Sequence, residues 1–400
     1  MFKLARNPFY IYVAGFILAF LIYSLDWSEL YPDISADVKW FFAVTFLIFI
    51  ALGLFSDNYK LIRRAPSRTQ IRFLSRLTAG LFVLYALEMA AERDLPLLSI
   101  LLGRPGIDYR EFGLPLLHGI LTSFNSFLIA HAFSTYMSQK SGGALRIYLL
   151  LYLPALLMVN RSIIFFGLIT TVFIYLHYLK RVRAGTQVKL AILILIGLFA
   201  FGWIGNLRSG GDYIYEQSRA TEEFMESGIP REYYWTYLYA ASPLANFQNT
   251  INKRHNTDPD IAGFLFYENL PRAISKGLGE SLGLNRIELA RIVPWLTVGT
   301  AYARSFAYIG WYGPYLLFFI HLALYLVFLL LVPPRSSYHV TAVSVLSVIV
   351  LLNIFTNMLI VTGISFQLAY CVLFAFFEGK RLVWNPAGPD RDGEATQSTV

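Results

Sequence analysis

Ten predominantly apolar stretches recur along this 400-residue chain, and most approach the roughly 20 residues that an α-helix needs to cross a bilayer. Only 14% of the residues are charged, against about 25% in soluble domains, so an ordinary soluble fold is excluded. The sequence predicts an all-α polytopic membrane protein. Its predicted transmembrane helices cover residues 9–25, 40–55, 73–91, 113–137, 147–159, 162–179, 188–204, 308–332, 340–360 and 364–377.

The basic residues indicate how these helices are oriented. Lys3 and Arg6 precede the first apolar run and no small-residue cleavage site follows it, which predicts an uncleaved signal anchor with a cytoplasmic N-terminus. If the helices then alternate, 18 of the 33 lysines and arginines lie on the cytoplasmic side, which carries a net charge of +13 against −5 outside. Because these cations lie at helix ends, they indicate contact with anionic membrane lipids and not with nucleic acid.

The fifth and sixth apolar runs are separated only by Asn160 and Arg161. We interpret this point as a tight periplasmic turn, because one merged helix of more than 30 residues would place an arginine near its middle. The alternative, a single helix, would reverse the orientation of everything that follows.

One long stretch without a transmembrane run, residues 205–307, lies on the predicted periplasmic side. Loops of this length are usually functional, and its prolines and aromatic residues predict short helices within it. The chain is therefore divided into transmembrane helices 1–7 over residues 1–204, this periplasmic loop, helices 8–10 over 308–380, and a cytoplasmic tail over 381–400 whose polar composition predicts disorder. The single cysteine, Cys371, excludes an intrachain disulfide.

Motifs for nucleotide or metal chemistry are absent from the sequence. It contains no Walker-type phosphate loop, no GxGxxG after a strand and no HExxH, and its six histidines are far apart. We therefore expect no metal and no cofactor, and ATP-driven transport is disfavoured.

Arginines on the predicted outer face are the strongest candidates for chemistry. Arg161 begins the sixth helix, Arg208 follows the seventh, and Arg272, Arg291 and Arg304 come later in the loop. A guanidinium group binds phosphate through two parallel hydrogen bonds and stays charged near lipid. We predict that Arg161 and Arg208 bind a lipid-linked pyrophosphate and that the other three contribute to substrate binding. The alternative is that these arginines bind phospholipid headgroups or pair with acidic residues of the loop.

Candidate bases and sugar-binding residues also lie in this loop. Glu268, Asp212 and His255 can accept a proton from an acceptor hydroxyl, although the sequence around His255 equally fits an exposed polar turn. Trp235 and Tyr237 lie in an aromatic segment that suits either stacking on sugar rings or an interfacial aromatic belt.

Several polar residues lie inside the predicted helices. We expect them to be hydrogen-bond partners between helices. They are Ser123, Asn125 and His131 in the fourth run and Asn353, Asn357 and Gln367 in the last two.

Three segments resemble those of the Wzy-type O-antigen polymerases of the bacterial inner membrane and, more loosely, the O-antigen ligases. They are the turn at 157–162, the stretch 264–272, and the stretch 299–313. Arg272 and Gly283 also stand in the Arg-x10-Gly spacing of some members. The layout of ten helices with one long, late periplasmic loop is similar to the family over nearly the whole chain.

The resemblance implies an inverting, metal-independent glycosyltransferase with a GT-C-like helical membrane fold. Its donor would be a growing glycan on undecaprenyl pyrophosphate, and its acceptor a sugar hydroxyl of a new lipid-linked repeat unit. The implied partners are this undecaprenyl-pyrophosphate-linked oligosaccharide, membrane lipids and a chain-length regulator, at the periplasmic face of the inner membrane.

Two alternatives remain open. One is a ligase that uses lipid A core as the acceptor, and the other is a non-enzymatic transporter of lipid-linked sugars. A transporter predicts charged residues along the helices at mid-membrane, whereas nearly all charges here lie at helix ends.

Overall fold

The computed structural model describes residues 4–62, 66–93, 95–103, 113–114, 117–179, 184–209, 212–254 and 258–384. These residues are helical throughout, apart from turns, connecting segments and a single β-bridge between Ser28 and Ala220. The helices are α1 Pro8–Tyr23, α2 Ala36–Asn58, α3 Ile71–Glu92, α4 Pro96–Leu101, α5 Leu117–Gln139, α6 Gly142–Leu150, α7 Tyr152–Leu157, α8 Arg161–Tyr178, α9 Ala184–Ser209, α10 Tyr213–Gln217, α11 Glu222–Glu226, α12 Tyr233–Lys253, α13 Ile261–Asn269, α14 Arg272–Ser281, α15 Ala303–Ile309, α16 Tyr312–Leu331, α17 His339–Leu352 and α18 Thr362–Trp384. Two short 3-10 helices cover Leu4–Arg6 and Met358–Ile360.

Among the described residues, five helices are long and apolar enough to cross a bilayer by length and composition, namely α2, α3, α8, α16 and the Thr362–Gly379 part of α18. Four shorter apolar helical stretches cover Pro8–Tyr23, Gly142–Leu157, Ala191–Leu207 and His339–Leu352. The predicted class, a helical multi-pass membrane protein, is confirmed. Each of the ten predicted runs falls on one or two helices. Helix α5, which buries polar side chains such as Asn125 and His131, is not among the five.

A turn separates the fifth and sixth apolar runs. Val159 has a positive φ of 56° there, and α8 begins two residues later. Tyr148 Oη lies 3.2 Å from Thr171 Oγ1, and Tyr152 packs beside Gly167, so that residues equally distant from the turn face each other. The two runs therefore form an antiparallel helical hairpin and not one merged helix.

One set of helix ends meets at what we call the inner end of the bundle. Arg6 Nε donates to the main-chain oxygen of Leu176 at 2.8 Å, which joins the start of α1 to the end of α8. Just before α3, the Arg68 N–H donates to Ser337 Oγ at 2.8 Å. Ser337 in turn donates its own N–H to Glu378 of α18 at 3.0 Å.

The opposite set meets at the outer end. His118 at the start of α5 pairs with Glu88 near the end of α3, with Nδ1 and Oε2 3.0 Å apart. The Ser35 N–H, before α2, donates to Gln248 Oε1 of the loop helix α12 at 2.9 Å. The long loop therefore packs on the outer end, as alternating helix directions require.

The central helix is α17, which packs against α1, α5, α8, α16 and α18 and is buried along almost its whole length. Small side chains such as Ser344 and Ser347 let its neighbours approach closely. Its 14 residues rise only about 21 Å, so α17 ends below the outer end of the bundle. The prediction of one helix over 340–360 is wrong at this point. The side chains of Asn353 and Asn357 accept main-chain N–H groups of the following turn, which stops the helix.

Part of the long loop enters the bundle. Tyr302 Oη lies 2.9 Å from Tyr12 Oη, which contacts Thr45 Oγ1 of α2 at 3.3 Å. Tyr12 is about 16 Å of helix rise below the end of α1 at Tyr23. Residues of the loop, which the sequence placed outside the membrane helices, therefore reach the interior of the bundle.

The last predicted regions differ from the structure in detail. The eighth run is divided into α15 and α16 at Gly310, whose φ of 64° favours glycine. The final helix continues to Trp384, four residues into the predicted tail. The predicted disorder of the remaining tail concerns residues 385–400, which lie outside the described part of the chain.

Candidate functional site

A cavity of about 140 Å³ lies where the long loop enters the bundle. Its walls come from α13, α14, α15 and the segment 297–301, and its floor is the turn between α17 and α18. The residues that carry its polar lining are Glu268, Arg272, Thr297, Thr300, Arg304, Thr356 and Asn357.

The wall segment is held in place by Asn246 of α12. Asn246 Nδ2 donates to the main-chain oxygens of Leu296 at 2.8 Å and Val298 at 2.7 Å, and its Oδ1 accepts the Ile292 N–H at 2.8 Å. Further along, the Ala301 N–H donates to the main-chain oxygen of Asn353 at 2.8 Å. An irregular segment is thus fixed against α12 and the end of α17 by hydrogen bonds to its main-chain groups.

Glu268 is the one carboxylate in this cavity among the described residues. Only 1% of the residue is exposed, and its Oε1 has no hydrogen-bond partner within the described part of the chain. Burial raises the pKa of Glu268 to about 7, although the charges of Arg304, Arg286 and Arg272 and the Asn357 amide act in the opposite direction. The carboxyl group can therefore release or accept a proton near neutral pH.

Three arginines surround this carboxyl group. Arg272 and Arg304 line the same cavity, and Arg286 lines an adjoining cavity of about 290 Å³ with Arg291 and Arg304. Arg304 is half-buried, whereas Arg272 and Arg286 are exposed. Partial desolvation and the charges of Arg286 and Arg304 lower the pKa of Arg272, and burial lowers the pKa of Arg304. Both remain cationic at pH 7. Arg304 therefore lies between two cavities that are both lined by arginine.

These guanidinium groups are poorly neutralised by the protein. Within the described residues, no carboxylate lies within 4 Å of Arg272, Arg286 or Arg304, and the buried Nε of Arg304 has no hydrogen-bond partner. Arg291 pairs with Glu288 only at 3.9 Å and donates to the Pro294 oxygen at 2.7 Å. An excess of positive charge beside a buried carboxyl group favours an anionic ligand with several oxygens.

The structure brings together four of the predicted site residues, Glu268, Arg272, Arg291 and Arg304, around these two cavities. Two others lie elsewhere. Arg161 is exposed at the first residue of α8 and lines neither cavity. Asp212 is exposed before α10 and pairs with Arg231 at 3.3 Å, so it is not part of this site.

Two further predicted residues have no described side chain. Arg208 lies in the last turn of α9, but the placement of its side chain is outside the described structure. His255 falls in 255–257, which also lies outside it. Their predicted roles therefore stay predictions.

The predicted sugar-stacking residues need a correction. Tyr237 is only 1% exposed, and its ring packs between Trp27 at 5.3 Å and Tyr31 at 5.6 Å. It belongs to an aromatic cluster that joins α12 to the outer end of α1, so a sugar ring cannot reach it. Trp235 is half-buried against Gly205 and donates its Nε1–H to Asn206 Oδ1 at 2.7 Å, which connects α12 to α9.

Sequence reasoning missed Arg286 and the contribution of Asn357 to this site. Arg286 lies in a loop segment without regular structure, where its position depends on how residues 284–302 fold back. Asn357 is one of the polar residues that the sequence assigned to contacts between helices, and its Nδ2 donates to the Glu268 main-chain oxygen at 2.7 Å. The sequence offered one signal for this role, namely that Asn357 lies close to the predicted outer end of a membrane helix.

Comparison of this chain with family models, with curated proteins and with solved structures finds no match. A function for the cavity is therefore argued from its own residues. A proton acceptor with a pKa near 7 beside several unneutralised arginines can activate a hydroxyl group and stabilise a departing phosphate or pyrophosphate.

Proposed function

We propose that this protein is a polymerase of lipid-linked oligosaccharide repeat units in the bacterial inner membrane. It would transfer a growing glycan from undecaprenyl pyrophosphate to a sugar hydroxyl of a new lipid-linked repeat unit. The observation that carries the proposal is the buried Glu268 carboxyl group beside Arg272, Arg286 and Arg304 at the outer end of the helical bundle.

The arginines have the chemistry that a pyrophosphate leaving group needs. Negative charge increases on the phosphate oxygens as the bond to the sugar breaks, and donors already fixed in a partly dry cavity stabilise it best. Arg304, which borders both cavities, can contact this charge directly. The lack of a neutralising carboxylate within 4 Å of it, among the described residues, leaves the guanidinium available to the ligand.

Glu268 is the proposed general base. The acceptor hydroxyl oxygen attacks the anomeric carbon of the donor, the bond from that carbon to the pyrophosphate oxygen breaks, and undecaprenyl pyrophosphate leaves with the electron pair. The hydroxyl proton passes to the Glu268 carboxylate. A single displacement of this kind inverts the anomeric configuration.

The orientation proposed with this function has ten transmembrane helices, both termini in the cytoplasm and the cavity facing the periplasm. The segregation of the helix ends and the excess of basic residues at the inner end support it. The lipid tails of donor and acceptor would stay in the bilayer while the sugars face water. A chain-length regulator is the proposed protein partner.

A deletion strain tests the function directly. Loss of the gene is expected to leave glycans of a single repeat unit on electrophoresis, and the wild-type gene should restore long chains. Lipid A core without any repeat unit would indicate a ligase instead. Accumulation of lipid-linked units at the inner leaflet would indicate a transporter.

A further inference from the structure

Asn357 forms part of the cavity floor, in the turn between α17 and α18. Its side chain is buried, and its Nδ2 donates to the main-chain oxygen of Glu268 at 2.7 Å. Its Oδ1 accepts the Leu359 N–H at 3.1 Å. The amide thus connects a turn inside the bundle to the end of α13, where Glu268 lies.

The same amide also lies near the Glu268 side chain, where it favours the ionised carboxylate. Both side chains line the same cavity, and Glu268 Oε1 has no hydrogen-bond partner among the described residues. A buried carboxylate with few donors is costly to ionise, so a polar amide on the cavity floor favours its ionised form, in addition to the charges of Arg304 and Arg286.

We propose that Asn357 is a positioning residue for Glu268, which fixes the end of α13 against the cavity floor and so holds the Glu268 carboxyl group in the cavity that both residues line. The catalytic consequence of this role depends on the proposed function. The electrostatic consequence does not, because it concerns the ionisation of Glu268 in the protein without substrate.

Asn353 provides a matched control within the same turn. It is equally buried, its Nδ2 donates to Tyr325 Oη at 2.9 Å, and its Oδ1 accepts the Met358 N–H at 3.0 Å. Both asparagines therefore connect the turn to another helix and accept one main-chain N–H. Of these two asparagines, Asn357 is the one whose Nδ2 donates to Glu268.

Other titratable groups face Glu268 or Asn357, and these variants leave them unsubstituted. They are Arg272 of α14, Arg286 of the segment that follows α14, Arg304 and Tyr308 of α15, and His321 of α16, which lies beside Asn357. A change seen in the Asn357 variants and absent from the Asn353 variants is therefore assigned to the Asn357 amide.

The test measures the ionisation of Glu268 by infrared spectroscopy. In a pH titration of the purified protein, the C=O band of the protonated carboxyl group is assigned to Glu268 by its loss in Glu268→Gln. We expect Asn357→Ala to move the titration midpoint upward by about one pH unit, because the amide that holds the end of α13 and lines the cavity beside the carboxyl group is lost. Asn357→Asp keeps an acceptor for Leu359 and adds a like charge, so the midpoint should rise further. Asn353→Ala and Asn353→Asp should leave it unchanged.

The second measurement is the pH dependence of glycan lengthening by the same proteins with lipid-linked repeat units. The fall in rate on the acid side should move upward by the same amount in the Asn357 variants alone. An unchanged infrared midpoint in both Asn357 variants would overturn the inference, even if the wild type polymerises. If the midpoint moves while the wild type never lengthens a glycan, the proposed function fails and the positioning role stands.

Discussion

Replacement of Glu268 by glutamine should make the protein more stable and inactive at the same time. Burial raises the pKa of this carboxyl group from 4.5 to about 7, so the folded protein carries an ionised group in an unfavourable place at alkaline pH. Glutamine has nearly the same shape and is neutral at every pH. The substitution therefore removes the cost of ionisation together with the proposed base.

The size of this effect follows from the two pKa values. Because a raised pKa means that the folded state binds the proton more tightly, the stabilising contribution of Glu268 is present below pH 4.5 and is lost as the pH rises through about 7. Relative to its value below pH 4.5, the free energy of unfolding falls by about 3 kcal/mol at pH 8 and by about 1 kcal/mol at pH 5. The advantage of Glu268→Gln over the wild type in free energy of unfolding should therefore increase by about 2 kcal/mol from pH 5 to pH 8.

Two assays on the same purified protein test the prediction. Thermal unfolding in detergent at pH 5 and pH 8 should show that the advantage of Glu268→Gln in melting temperature widens with pH. Glycan lengthening at pH 8 should fall by a factor of about 100 or more, the usual contribution of a general base.

Glu280→Gln is the matched control for this experiment. Glu280 is exposed on α14, so its replacement should change neither the pH dependence of unfolding nor the rate. An advantage of Glu268→Gln that is equal at pH 5 and pH 8 would refute the argument from burial. Full activity of the variant would remove Glu268 as the base.

Four further outcomes are expected. Arg304→Lys should reduce glycan lengthening nearly as far as Arg304→Ala, by about 2–5 kcal/mol of transition-state stabilisation, because both lose the bidentate guanidinium; normal rates for either variant would exclude Arg304 from the site. Because Arg161 lines neither cavity, a normally expressed Arg161→Ala variant should still make long chains, and their loss would instead support the pyrophosphate contact that the sequence predicts for Arg161. Excess EDTA should leave lengthening unchanged, and a loss that manganese or magnesium reverses would contradict the metal-independent mechanism. A reporter fused near Lys253 should be active in the periplasm and one near Ser336 in the cytoplasm, and the reverse pair would contradict the proposed orientation.

The positions of the helices were largely predictable because hydrophobic length is a strong local signal. The sequence also predicted the turn before α8, since an arginine in the middle of a membrane helix is costly. It could not predict that α17 stops at Leu352. That end coincides with Asn353 and Asn357, whose Oδ1 atoms accept main-chain N–H groups of the turn. Their Nδ2 groups donate to Tyr325 Oη and to the Glu268 main-chain oxygen, which are long-range contacts that the sequence does not reveal.

The candidate site was predictable only in part. Glu268 and Arg272 are four residues apart on either side of Pro271, so their proximity is a local property of the chain. Arg304 and Arg286 reach them only after the loop folds back, which is a long-range arrangement that residue spacing does not encode. The aromatic segment shows the opposite difficulty. Tyr237 has the residue type of a sugar-stacking group, but only the fold reveals that Trp27 and Tyr31 cover its ring.

The position of the cavity within the bundle bears on both the pKa of Glu268 and the kind of donor that the site can bind. The segment that forms one wall continues to Tyr302, about 16 Å of helix rise below the end of α1, and the cavity floor is the turn between α17 and α18 inside the helical bundle. Burial there raises the pKa of Glu268 and would strengthen a contact between phosphate and the half-buried Arg304. A soluble sugar nucleotide would gain nothing from a site so placed. A pyrophosphate with a lipid tail already lies at this boundary, with its tail in the bilayer and its sugars outside, and this favours a lipid-linked donor.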